Sequence, residues 1–98
     1  MALTIVWSIR AANKFEQIIT YLDVEWGEMA ARKFVRKVDD FLDILGAFPD
    51  VGKLENPGKN IRGFVIVPQV SLYYKIKDNQ IILLNFHDNR QASSKAKY

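Results

Sequence analysis

Apolar residues recur along this chain with two different periods, and the change from one to the other divides it in half. From Ala12 to Trp26 the apolar positions Ala12, Phe15, Ile18, Ile19, Leu22 and Trp26 return every third or fourth residue, which places them on one face of a helix. Leu3 to Trp7 ahead of them reads as a short strand, and Ser8 is placed to cap the helix. Gly27 breaks the pattern and can adopt the left-handed backbone that ends a helix. A second helix is expected from about Glu28 to Leu45, with Ala31, Phe34, Val38, Phe41, Leu42 and Leu45 as its apolar stripe. Gly46 and the turn Pro49-Asp50-Val51-Gly52 close it. Helices joined this tightly must fold back antiparallel and share one core.

After a polar loop from Lys53 to Asn60 the period becomes two. Ile61 to Val67 is a predicted strand, Pro68-Gln69 a tight turn and Val70 to Lys77 a second strand. Asp78-Asn79 is a two-residue hairpin signal, and Gln80 to His87 is the third strand of this half. Val70, Leu72, Tyr74 and Ile76 alternate with Ser71, Tyr73, Lys75 and Lys77, which predicts one face against the helices and the other partly in water. The last strand is apolar on both faces through Leu84, as for a strand inside a sheet. The expected fold is α+β in the order β-α-α-β-β-β: a four-stranded, mainly antiparallel sheet with an antiparallel helical hairpin packed on one face. Residues 1–91 form a single domain in this reading, and 92–98 (ASSKAKY) form a flexible tail without apolar pattern. Trp7 and Trp26, at element ends, are expected to pack the rim of the core.

Composition narrows the function classes. Ninety-eight residues, 49% hydrophobic and 26% charged, suit one globular domain. The absence of cysteine excludes disulfides and thiolate metal sites, and a single histidine makes no metal centre. With no glycine-rich phosphate loop either, no cofactor is expected. The longest apolar runs, 65–67 and 81–84, are too short to cross a bilayer, and the first residues lack the pattern of a signal peptide, so a cytoplasmic location without membrane contact is expected. The net charge of +3 is unevenly spread. Residues 1–52 carry six Lys/Arg against eight Asp/Glu, whereas 53–98 carry eight against three. The basic half is the strand half, which favours an anionic partner on the sheet side.

The candidate chemistry follows from that placement. In Ile81–Gln91 (IILLNFHDNRQ) an apolar strand runs into a polar cluster holding the only histidine. Lys53, Lys59, Lys75, His87 and Arg90 are candidates for binding an anionic target, with Tyr73 interleaved for stacking on a base. Arg62, Tyr73 and Arg90 are the candidates for metal-free RNA cleavage, in which a base activates the ribose 2′-hydroxyl and an arginine stabilises the phosphorane. The plainer alternative makes Tyr73 and Lys75 ordinary exposed strand residues. His87 titrates near neutrality, but no nucleophile motif stands near it, and a strand-end histidine bonded to backbone is the alternative. Arg90 follows the Asp88-Asn89 turn and so projects from a fixed loop; its alternative is a surface ion pair. On the second helix Arg32, Lys33, Arg36 and Lys37 precede Asp39, Asp40 and Asp43. This order opposes the helix dipole, at about 0.3 to 1 kcal/mol per charge, partly offset by an Arg36–Asp40 pair. It reads as a solvated outer face, or else as a docking surface for an acidic partner.

Taken together, the chain resembles the RelE/ParE superfamily of bacterial type II toxin–antitoxin toxins over nearly its whole length. The resemblance rests on the element order, on VWS at 6–8, on Tyr21-Leu22 and Trp26-Gly27, on Phe48-Pro49, on SLYYKI at 71–76 and on the ending ILLNFHDNRQ. It implies a toxin neutralised by a cognate antitoxin in a hetero-oligomer, and a role such as plasmid stabilisation. RelE-like members cut mRNA on the ribosome with Lys, Arg and Tyr residues, whereas ParE-like members lack that set and inhibit DNA gyrase. Arg62 and Arg90 lie near two of the RelE-like arginines and Lys53 and Lys59 match loosely. The RelE-type C-terminal tyrosine has no firm counterpart here: Tyr98 lies eight residues beyond Arg90, in the tail expected to be flexible. The resemblance therefore implies a ParE-like, non-catalytic gyrase inhibitor, whose sheet-end basic residues and C-terminal segment engage the target. The alternatives are a ribosome-dependent mRNA endonuclease using Arg62, Tyr73, Arg90 and a loop lysine, and a non-toxic binding module that retains the fold.

Overall fold

Ser8 opens the helical half as its position predicts. In the computed structural model, which describes residues 3–90 and 97–98, strand β1 (Thr4–Trp7) leads into helix α1 (Ile9–Trp26). The Ser8 hydroxyl oxygen accepts from the Ala11 N–H at 3.0 Å, and the hydroxyl donates to the Leu84 carbonyl at 3.3 Å, so one side chain caps the helix and ties it to the sheet. Gly27 takes φ 92°, a conformation that costs other residues, and helix α2 (Glu28–Ala47) turns back at once. The predicted α2 stripe is the buried one: Ala31, Phe34, Val38, Phe41 and Leu45, with Leu42 partly buried beside them. On α1 the fully buried alanine is Ala11, while Ala12 is only half-buried.

The two tryptophans part company. Trp7 packs its ring on Phe15 and Phe86, at 5.1 and 5.7 Å between centroids, as a rim residue should. Trp26 is 73% exposed. It stands at the last position of α1, where the chain is already reversing at Gly27, and borders an open groove instead of the core. The expected Arg36–Asp40 pair is likewise not among the ion pairs of the described residues; on α2, Arg32 pairs with Glu28 at 2.7 Å, both well exposed.

The sheet has five strands in the order β1-β5-β4-β3-β2, one more than expected. The additional strand, β2 (Lys53–Asn56), comes from the stretch read as a polar loop. It pairs antiparallel with β3 (Ile61–Val67) as an edge strand, where backbone hydrogen bonds suffice and no apolar alternation is required. β4 (Val70–Lys77) and β5 (Gln80–Asp88) continue the antiparallel ladder, and β1 lies parallel to β5. Asp78 and Asn79 hold φ of 52° and 62°, the left-handed pair that a type I′ hairpin demands.

The alternation in β4 does not produce one buried and one wet face. Val70, Leu72 and Tyr74 are buried in the helix-side core, but Ser71 and Tyr73 on the opposite face are also only 5% exposed. Part of the cover comes from the far end of the chain. The Tyr98 ring lies 5.4 Å from that of Tyr73, and the Lys97 carbonyl accepts from Asn85 Nδ2 at 2.9 Å. Of the tail expected to be flexible, 92–96 lies outside the described residues; Lys97 and Tyr98 rest on the sheet.

Tyr74 fastens the connection after α2. Its hydroxyl donates to the Pro49 carbonyl at 2.8 Å and accepts from the buried Gly52 N–H at 2.9 Å. A Cβ on Gly52 would sit 2.6 Å from that hydroxyl, so glycine alone permits the approach. Burial pushes the Tyr74 phenol above its usual range. Tyr74→Phe removes both bonds and leaves the Gly52 donor unsatisfied, for an expected loss of about 1 to 3 kcal/mol in urea unfolding. An unchanged midpoint would show that the loop is held by packing alone.

Candidate functional site

The end of β5 sends alternate residues to opposite sides of the sheet. Phe86 and Asp88 pair with Leu72 and Val70 on the helix side; Asn85 and His87 pair with Tyr73 and Ser71 on the other. The polar cluster that is continuous in sequence is therefore split in space into two sites.

On the helix side, Asp88 clasps Arg90. Its Oδ1 accepts from the Arg90 backbone N–H at 2.9 Å and from Nε at 3.0 Å, and its Oδ2 accepts from Nη2 at 2.9 Å. Arg90 Nε and Nη2 thus engage both carboxylate oxygens, the two-point geometry that arginine favours. The hydrogen bonds from Arg90 hold the Asp88 carboxyl below the usual carboxylate range, and Arg90 is raised in turn. Asn89 locks the loop: its N–H donates to Gln69 O at 2.8 Å, its Nδ2 to Pro68 O at 3.2 Å, and its Oδ1 accepts from the Ser71 hydroxyl at 3.0 Å. Arg90 accordingly projects from a fixed loop, its guanidinium carbon 5.9 Å from the centre of the Tyr21 ring. Both side chains border a groove of about 520 Å³ whose apolar lining includes Leu22, Trp26, Phe34, Val67 and Phe86, with Lys14 also lining it.

On the opposite side lies a buried polar set. Ser71, Tyr73, Asn85 and His87 are each at most 5% exposed. Lys53, Gly63, Tyr73 and Asn85 form one row across four strands, and Lys75 follows Tyr73 on the same face. Gly63 makes room for the aromatic ring: a Cβ there would fall 2.5 Å from Tyr73 Cε1, and the Glu55 side chain lies close by. Burial raises the Tyr73 phenol, and the charge of Glu55 adds to this. Burial likewise pushes the His87 imidazole below its ordinary value, with Lys97 acting in the same direction. His87 packs edge-on to Tyr73 at 6.2 Å between ring centroids, and the expected side-chain hydrogen bond to backbone is not among those of the described residues.

The depressed imidazole sets a pH dependence. As pH falls below the ordinary value of 6.5, the unfolded chain binds a proton before the folded one does. Stability from this group is intact above that value and declines as pH drops toward the lower folded-state value. His87→Gln is expected to flatten urea midpoints measured between about pH 7.5 and 5; a variant with the wild-type slope would place the dependence elsewhere.

The remaining candidates are dispersed. Arg62 lies opposite Tyr74 and on the helix-side parity. Its Nη1 donates to the carbonyls of Gly52 and Asp50 at 2.8 and 3.2 Å, and its Nη2 lies 3.6 Å from the Asp50 carboxylate. Lys59 is exposed in the short turn Pro57–Lys59, beyond β2. The structure thus gathers Lys53, Tyr73, Lys75 and His87 on one face, leaves Arg62 in the loop staple, and puts Arg90 in the groove. Sequence reasoning passed over Glu55 and Asn85. An asparagine between Leu84 and Phe86 was a readable signal, and its Oδ1 is buried with no hydrogen-bond partner among the described residues; Glu55 had none. No group of three or more metal-ligating His, Cys, Asp or Glu side chains occurs among the described residues, and no helix among them is long and apolar enough to cross a membrane.

A family model describing the ParE toxin of the type II toxin–antitoxin system parDE matches residues 5–92. The chain belongs to this toxin family. Solved structures agree with the ParE assignment at the level of fold. The chromosomal ParDE system of P. aeruginosa aligns with a TM-score of 0.73 at 20% identity, covering 89% of this chain and 96% of that one. The YoeB/ParE toxin from Agrobacterium tumefaciens gives 0.66 at 12% identity, covering 89% and 99%. A heterotetrameric YoeB-YefM toxin-antitoxin complex from Staphylococcus aureus gives 0.57 at 20% identity, covering 87% and 94%. No curated protein matches the chain significantly in sequence. In this ParE-family toxin the helical hairpin and mixed sheet thus match the solved toxin structures at the level of fold.

Proposed function

We propose that this type II toxin inhibits DNA gyrase without cleaving RNA and is held in check by a cognate antitoxin. One observation carries the reading: the three residues able to make a metal-free nuclease, Arg62, Tyr73 and Arg90, occupy three different places. Cleavage needs a base and a cation within hydrogen-bond reach of one phosphate. Here Arg62 is engaged by the carbonyls of Asp50 and Gly52, Tyr73 faces the other side of the sheet, and Arg90 is clasped by Asp88. The ParE family match supports the same branch. Lys53, Lys75 and the C-terminal Lys97-Tyr98 share the face that would meet the topoisomerase–DNA complex in the cytoplasm, and binding there requires charge complementarity and no chemistry.

The antitoxin would fill the groove beside Arg90 with an apolar helix, or add a strand at the exposed edge of β1 or β2. The deciding experiment adds purified toxin to gyrase and relaxed plasmid. Loss of supercoiling, relieved by antitoxin and accompanied by no new cuts in ribosome-bound mRNA, is expected. Normal supercoiling with position-specific mRNA cuts that vanish in Arg90→Ala would replace this reading with the endonuclease one. Unimpaired growth on overexpression without antitoxin would leave a binding module.

A further inference from the structure

The outer stripe of α2 is used by neither face of the sheet nor by the groove. Arg32, Arg36, Asp39 and Asp43 are spaced four, three and four residues apart, so they stand in one line along the helix. All four are exposed and lie opposite the buried stripe of Phe34, Val38, Phe41 and Leu45. The line reads plus, plus, minus, minus. Among the described residues Arg36, Asp39, Asp40 and Asp43 enter no ion pair, and Arg32 reaches only Glu28. Within one molecule the order is unfavourable, because like charges are stacked at i,i+4 in both halves of the stripe.

A pattern of this kind is its own complement when read backwards. From this we infer that the α2 stripe is a self-association surface on which a second copy of the chain packs antiparallel. About a two-fold axis near the middle of α2, Arg32 of each copy then faces Asp43 of the other, and Arg36 faces Asp39. The disadvantage is reversed, because each charged half meets the opposite charge, and the two helix dipoles run antiparallel. The interface is isologous, as a two-fold pair requires. Half-buried Val35 and the open concavity of about 680 Å³ beside the stripe, lined also by Ile19 and Ala31 of the two helices, supply apolar contact. A single uncharged or purely acidic partner would satisfy at most half of the stripe.

Because the contacts are solvated ion pairs, the dimer is weak and salt-sensitive. The test is sedimentation velocity on the full chain from about 5 to 500 µM, a range that spans weak association, at about 50 and 500 mM salt. Concentration-dependent dimerisation in low salt, weakened about tenfold or more in high salt, is expected. Arg36→Asp and Asp39→Arg should each raise the dissociation constant about tenfold or more by placing like charges across the axis. The double swap Arg36→Asp with Asp39→Arg should restore it to within about threefold, which also shows that the substituted chain folds. A chain that stays monomeric throughout in low salt, or a dimer indifferent to the reversals, overturns the inference. So does a set of reversals that leaves self-association unchanged and instead weakens antitoxin capture.

Discussion

Phe86→Ala is expected to cost about 3 to 5 kcal/mol, the range for removing a fully buried aromatic side chain. Phe86 has no exposed surface, and its ring lies 5.3 Å from Phe15 and 5.7 Å from Trp7 between centroids. It therefore joins β5 to both α1 and β1, and its loss leaves a cavity bounded by three elements. Set against a typical total of about 5 to 15 kcal/mol, this brings the domain close to unfolding at physiological temperature. Equilibrium unfolding in urea measures it directly. A loss below about 1 kcal/mol would mean that the aromatic cluster closes over the gap, the relaxation that makes such costs variable.

Trp26→Ala is expected to act in the opposite way, sparing the fold and damaging recognition. At 73% exposure the indole contributes little to the core, and surface substitutions usually stay within about 0.5 kcal/mol. Yet it borders the groove with Tyr21, 46% exposed, and a large aromatic left in water beside an apolar cleft is a typical anchor for a partner. If the antitoxin sits there, truncation should weaken it by about 2 to 4 kcal/mol, roughly 30- to 1,000-fold in Kd. Calorimetric titration with the cognate antitoxin, alongside a melting curve of the free toxin variant, reads both effects. An unchanged Kd would place the antitoxin on another surface.

These two residues also mark what could be foreseen. Phe86 belongs to a strand whose apolar character is plain in the chain, and its burial follows from that. Trp26 fits the helical period as well as Leu22 does, but a period says only which face a residue shares, not how far along the helix the core extends. Lys53–Asn56 escaped notice for a related reason. An edge strand is held by its backbone, so its side chains carry no alternation to read.

The candidate site was legible residue by residue and not as an arrangement. The period of two already separates His87 from Asp88, since odd and even positions leave opposite faces, and Asp88-Asn89 announced the turn that holds Arg90. Nothing local could say that Arg62 would be taken up by the carbonyls of Gly52 and Asp50, or that Tyr73 would be covered by Tyr98, twenty-five positions away in sequence.

By itself, the sequence determined the helical hairpin, the Ser8 cap, the Asp78-Asn79 turn and the antiparallel ladder, because each depends on spacing or backbone preference within a few residues. Only the tertiary structure decided the parallel pairing of β1 with β5, the edge strand β2, the burial of both faces of β4 and the separation of the candidate catalytic residues. Those features depend on which distant segments meet, and a contact between segments that are remote along the chain leaves no periodic trace in either of them.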